Sequence, residues 1–194
     1  LYVSNHLSYF DIPVIGSFLP CSFVARGDLS DWPVFGYMSK MQQTIFISRD
    51  RKDAVKGKEQ LDKILSEGKS LIIFAEGTSS DGSTVLPFKS SLFSLAMENP
   101  TGKPLTVQPI TLSLIEVDGK PATSNEVRDL YAWHSDMTLP PHIKTFAALK
   151  GATMKVTFHE PRNAADYDNR KKLTQDCYND VLGGLMTETM AKAA

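Results

Sequence analysis

An α/β domain is what the sequence predicts: one central, largely parallel or mixed sheet flanked by helices, with a site at the carboxyl ends of the strands. Three observations predict it. Short strand-like apolar runs alternate with helical patterns through most of the 194 residues, as in domains built from βαβ units. Ser70-Leu71-Ile72-Ile73-Phe74-Ala75 is almost continuously apolar, the pattern of a strand covered on both faces. Chemistry-bearing residues recur just after the apolar runs, at His6, Arg26, Arg49 and Glu76-Gly77-Thr78. In open α/β sheets, such strand ends are where sites form. No repeat or linker interrupts the pattern, so residues 1–194 are read as one domain.

Leu1 to Ser4 is the end of a buried strand. Ile12 to Leu19 is a helix of about two turns, stopped by Pro20. Ser22 to Ala25 is a strand, and Asp28 or Ser30 caps a helix running through Met41, with Pro33 in its first turn. Thr44 to Ile47 is the next strand. Asp53 to Glu67 is a surface helix whose stripe is Leu61, Ile64 and Leu65, ended by Gly68. After the strand at 70–75, Glu76 to Gly82 is a polar loop and Lys89 to Met97 a short helix. Leu105 to Ile115 is strand-like, and Pro109 inside it indicates an edge, a bulge or a strand end. Val117 to Asn125 is a turn region. Tyr131–His134 and Pro140–Leu149 are read as helical pieces, Thr153 to His159 as a strand, and Asp168 to Lys192 as a closing helix.

Composition narrows the function. Hydrophobic residues are 42% and charged residues 22%, an ordinary globular balance. The net charge of −1 gives no basic field for nucleic acid. Cys21 and Cys177 are too far apart in sequence for a disulfide framework or zinc motif, which favours a reducing compartment. His134, His142 and His159 have no ligand-like spacing, so no metal is expected. No run reaches the roughly eighteen apolar residues that span a bilayer, and no secretory signal is visible. The chain opens at Leu1 in what reads as mid-strand, so we expect a fragment of a longer protein, lacking an N-terminal membrane-associated segment.

The informative stretch is Asn5-His6-Leu7-Ser8-Tyr9-Phe10-Asp11. Histidine is the side chain suited to taking a proton near neutral pH. A carboxylate on its other ring nitrogen fixes the tautomer and stabilises the imidazolium. Five helical steps would put the two side chains about 140° apart. Pairing them therefore needs a turn, with His6 leaving a strand and Asp11 starting a helix. Ile12-Pro13 fits that start.

His6-x4-Asp11, followed about seventy residues later by Phe74-Ala75-Glu76-Gly77-Thr78, resembles the glycerolipid acyltransferase family, the group containing 1-acyl-glycerol-3-phosphate acyltransferases. Arg26 through Arg49, with Trp32, Pro33 and Gly36 between, resembles its second block. Glu76-Gly77-Thr78 with Pro87-Phe88-Lys89 resembles the third, and Val107-Gln108-Pro109-Ile110 the fourth. The resemblance implies transfer of a fatty acyl group from a thioester, acyl-coenzyme A or acyl carrier protein, to a lysolipid hydroxyl, with no other cofactor. His6 would be the base and Asp11 its orienter. Arg26, Arg49, Glu76, Gly77, Thr78, Ser79 and Lys89 would bind the acceptor. The enzyme would work at the cytoplasmic face of the cell membrane, peripherally or anchored by a preceding segment. The third block usually ends in arginine, where this chain has Ser79. The version Glu76-Gly77-Thr78-Ser79-Ser80-Asp81-Gly82 resembles a bacterial subgroup that includes acyltransferases acting on lyso-ornithine lipid, whose head group carries a carboxylate and an amine. Asp81 could meet that amine, although a turn role is the simpler expectation.

Two other classes compete. A serine hydrolase would need a nucleophile; no Gly-x-Ser-x-Gly elbow occurs, and only Ser79 or Ser80 is a candidate. A non-catalytic lipid-binding module would keep an apolar cleft but have no use for a base. Membrane contact is expected from Trp32, Phe35, Tyr37 and Met38, or from Ile143, Phe146 and Leu149 beside Lys144 and Lys150. Both stretches also have the spacing of ordinary core.

Overall fold

The structure is a computed structural model, and it describes residues 1–26, 45–47, 59–61, 63–98 and 102–193. The helix expected from Asp28 to Met41 and the apolar set Trp32, Phe35, Tyr37 and Met38 lie outside the described residues.

The chain runs β1 (Tyr2–Ser4), α1 (Asp11–Gly16), β2 (Cys21–Arg26), β3 (Ile45–Ile47), β4 (Ser70–Phe74), a 3-10 turn (Ser90–Phe93) leading into α2 (Ser94–Met97), β5 (Thr106–Val117), β6 (Lys120–Pro121), α3 (Asn125–Arg128), α4 (Leu139–Ala147), β7 (Ala152–Phe158), β8 (Arg162–Asn163) and α5 (Arg170–Ala193). Residues 59–61 and 63–66 are helical ahead of β4. The strands form one mixed α/β sheet in the order β3-β2-β4-β1-β5, with β6, β7 and β8 also on β5. β3, β2, β4, β1 and β5 are mutually parallel. Their carboxyl ends therefore share one edge, which brings the residues after β1, β2 and β4 together. β6, β7 and β8 run antiparallel to β5.

Pro109 is neither at an outer edge nor at a strand end; it lies inside β5, opposite Val3 of β1. The Gln108 amide donates to Leu1 O on the β1 side, and Pro109 O accepts from the His159 amide on the other side. The Pro109 nitrogen thus faces the gap where β8, ending at Val107↔Arg162, hands over to β7, starting at Ile110↔Phe158. No ladder donor is needed there, so proline is tolerated.

Successive residues point to opposite faces of the sheet. One face packs Ile72, Ile110 and Leu112 with Leu7, Ile15, Tyr131 and Ala132. The other packs Val3, Ile73, Ala75 and Val107 with Phe93, Leu173 and Cys177. α5 covers that second face through Leu173, Cys177, Val181 and Leu185, all buried at a spacing of four.

Residues 131–134, expected as helix, are non-helical. Tertiary contacts override the local pattern: the Trp133 amide donates to Leu7 O across the first loop. α4 forms as expected, but its apolar side is mostly core. Leu139 and His142 are buried, and Phe146 and Leu149 pack against the first cluster. Ile143 remains at the surface. Among the described residues no helix is long and apolar enough to cross a membrane.

Candidate active site

β1 stops at Ser4, and the side chain of Asn5 carries the pairing one rung further. Its amide donates to Leu112 O at 2.9 Å and accepts from Leu112 N at 2.8 Å. The chain then leaves the sheet and turns back, with the Asp11 amide donating to Ser8 O. Asp11 opens α1, as the sequence predicts.

This turn brings the two side chains together. His6 Nδ1 lies 2.8 Å from Asp11 Oδ2. The same oxygen accepts from the amides of Leu7 at 2.6 Å and Ser8 at 3.0 Å. Oδ1 accepts from the Tyr131 hydroxyl at 3.0 Å. Asp11 is completely buried, while the His6 side chain is 19% exposed. The imidazole stacks on Phe74 with ring centroids 3.9 Å apart. Among the described residues no hydrogen bond engages Nε2. A carboxylate on Nδ1, with the other ring nitrogen available to a substrate, is the arrangement of a general base.

Glu76 is 2% exposed. Its Oε1 accepts from the His6 amide at 2.7 Å and Oε2 from the Leu86 amide at 2.8 Å. Burial pushes its carboxyl up to about 7, against the pull of those two amides, with Asp11's charge adding to the rise. Glu76 is therefore a strut joining the His6 turn to the 85–89 segment. The Ser80 amide donates to His6 O, which ties the turn to the loop a second time.

Gly77 has φ +69°, and a Cβ there would come within 2.6 Å of Lys89 Nζ. The Lys89 side chain thus lies across the glycine that precedes Thr78, and both Lys89 and Thr78 are exposed residues. Gly82, at φ +72°, approaches the buried Leu7 side chain, and a Cβ would meet Leu7 Cδ2 at 2.6 Å. Gly82→Ala combines left-handed backbone strain with overpacking. It is expected to lower stability by about 1–2 kcal/mol, measured by urea unfolding.

Ser79 Oγ donates to Trp133 O at 2.5 Å and Ser80 Oγ to His6 O at 3.3 Å. Neither hydroxyl bonds an imidazole, so the structure offers no serine nucleophile there. Asp81 accepts from Ser83 N and Oγ, a turn arrangement, with Arg128 3.9 Å away. Burial raises its carboxyl, but the Ser83 bonds and Arg128 outweigh that and hold it below the usual range. Arg26 closes β2 beside Ile47, and its backbone alone is described. Arg49 lies outside the described residues. Among the described residues no cluster of three or more histidine, cysteine or carboxylate side chains is placed to hold a metal ion.

Two features escaped sequence reasoning. Tyr131 reaches Asp11 from 120 positions away, and its setting in Tyr-Ala-Trp reads as ordinary core. The Tyr9 hydroxyl lies 2.9 Å from His142 Nδ1. Burial pushes the phenol up to about 12 and lowers the histidine, so Tyr9 donates to a neutral ring and pins α4 to the first loop.

Comparison with known proteins bears on the family and the fold. The family model described as Acyltransferase matches residues 1–113. A lyso-ornithine lipid O-acyltransferase of Brucella abortus is 34% identical over 99% of this chain and 73% of its own length. A 1-acyl-sn-glycerol-3-phosphate acyltransferase of Neisseria gonorrhoeae is 30% identical over 89% of this chain and 64% of its own length. The crystal structure of the 1-acyl-sn-glycerophosphate acyltransferase of Thermotoga maritima superposes with a TM-score of 0.61 at 21% identity, covering 96% of this chain and 64% of that one. The chain thus spans about two thirds to three quarters of these relatives. The motif residues, the sheet and the family match coincide: the chain belongs to the acyltransferase family.

Proposed function

We propose that this domain moves a fatty acyl group from a thioester to the hydroxyl of a lysolipid, at a membrane surface. The observation that carries the reading is the His6 Nδ1–Asp11 contact of 2.8 Å, with no hydrogen bond to Nε2 among the described residues. Nε2 takes the proton of the acceptor hydroxyl as its oxygen attacks the thioester carbonyl. The C–S bond then breaks, and the imidazolium returns the proton to the leaving thiolate. The products are an ester and a free thiol, with no acyl-enzyme between them. The donor is acyl-coenzyme A or acyl carrier protein. Gly77, Thr78 and Lys89 hold the acceptor head group, with Arg26 and Arg49 adding positive charge, while Glu76 keeps the base in place.

The acceptor we favour is lyso-ornithine lipid, with 1-acyl-glycerol-3-phosphate as the rival. At position 79, where a phosphate-binding arginine would reach the head group, a short hydroxyl is turned onto Trp133 O. The Brucella relative named for lyso-ornithine lipid matches almost the whole chain. The test is the purified protein with one thioester donor, assayed in parallel on lyso-ornithine lipid and lysophosphatidic acid. Faster turnover of the ornithine lipid is expected. Faster turnover of lysophosphatidic acid would reverse the choice of acceptor, and thiol release with neither would sink the transferase reading.

A further inference from the structure

We propose that Tyr131 is a positioning residue for the His6–Asp11 pair: its phenol holds Asp11 Oδ1 so that Oδ2 stays turned to the imidazole. The inference deepens the transferase reading and rests on it for its kinetic arm.

Asp11 is a fully buried carboxylate. Among the described residues four donors meet it, and three of them, Leu7 N, Ser8 N and His6 Nδ1, converge on Oδ2. These three belong to the same short turn as Asp11 and move with it. Among the described residues Tyr131 alone engages Oδ1, and it comes from the opposite half of the chain. A carboxylate gripped at one oxygen can rotate about its Cβ–Cγ bond; gripped at both, it cannot. The Tyr131 hydroxyl thus fixes the plane in which Oδ2 meets Nδ1.

The phenol is built for that task. Tyr131 is 2% exposed. Burial and the nearby Asp11 charge keep its hydroxyl protonated, so it donates rather than accepts. Its ring stands edge-on to Phe146, which stacks on Phe10, the residue preceding Asp11. The segment is tied down two residues further on, at Trp133, whose amide donates to Leu7 O and whose carbonyl accepts from Ser79 Oγ. Tyr131 therefore cannot drift without disturbing both loops of the site. It also lies beyond residues 1–113, which match the family model, so one of the groups that steady the pair comes from outside the matched stretch.

The test is Tyr131→Phe, which keeps the ring and removes the donor, compared with Leu65→Ala, which opens the separate core cluster of Ile45, Leu61 and Leu71. Two readouts are taken: kcat and KM for acyl transfer, and the proton resonance of His6 Nδ1–H, assigned by its loss in His6→Ala. Tyr131→Phe is expected to move or broaden that resonance and to lower kcat about tenfold with KM within about twofold. Leu65→Ala is expected to lower the melting temperature without either change. An unmoved resonance, an unchanged kcat, or an equal fall in kcat with Leu65→Ala overturns the proposal. If the wild-type protein transfers no acyl group, the transferase reading fails and the resonance alone decides the role of Tyr131.

Discussion

Alanine at His6 is expected to lower kcat by about 10²–10⁴, the usual worth of a positioned general base, while leaving the fold close to wild type. The turn around His6 is held by its backbone: its amide goes to Glu76 and its carbonyl receives the Ser80 amide. The imidazole adds only its stack on Phe74. Asp11→Asn is the companion variant. An asparagine oxygen in the Oδ2 position still accepts from Leu7 and Ser8, and its amide nitrogen faces Tyr131, whose hydroxyl can turn to accept. The geometry survives, but the charge that stabilises the imidazolium is gone, so a loss of similar size is expected. Because the two residues act as one unit, the double variant should lose little more than either single one. Steady-state assays on the four proteins decide it. A wild-type kcat in His6→Ala would remove the base, and fully multiplicative losses would show that the two side chains act separately.

The parts of this site that were readable in the sequence are those set by local chemistry. The His6–Asp11 spacing demanded a turn, and Pro13 two residues into α1 marked where it ends. The apolar run before Glu76 announced an interior strand, and β4 is paired on both sides, by β1 and β2. Non-local partners left no such trace. Asn5 looks like a loop residue, yet its amide acts as a further rung against Leu112. Tyr131 carries no signal of Asp11, because an aromatic among apolar neighbours reads the same whether its hydroxyl is used or idle. Residues 131–134 were expected as helix because periodicity cannot register the hydrogen bond from Trp133 to Leu7 O. Glu76 is assigned to the acceptor by the family resemblance, which carries no information on burial. Here the loop folds inward, and both carboxylate oxygens are taken by amides.

Glu76 carries the largest expected effect on stability. Glu76→Ala removes the acceptor of two backbone amides and leaves a void beside the His6 turn, a loss of about 3 kcal/mol. Activity should fall with it, because the His6 amide loses its anchor. The charge itself has the opposite sign. The folded-state pKa, about 7, lies above the unfolded value near 4.5, so between those values the folded protein binds more protons than the unfolded chain. The contribution of Glu76 is fully present below about pH 4.5 and is lost as pH rises through 7, by on the order of 3 kcal/mol. Glu76→Gln cannot titrate. It keeps one acceptor, for His6 or Leu86, and turns its carboxamide NH2, a donor, on the other backbone N–H. Urea unfolding of wild type and Glu76→Gln across pH 4.5 to 7.5 isolates the term, since every other titrating group is common to both. The advantage of wild type over the variant should shrink steadily across that window. Parallel stability curves would mean that the buried carboxyl is held ionised by the two amides, with the strut as strong at neutral pH as in acid.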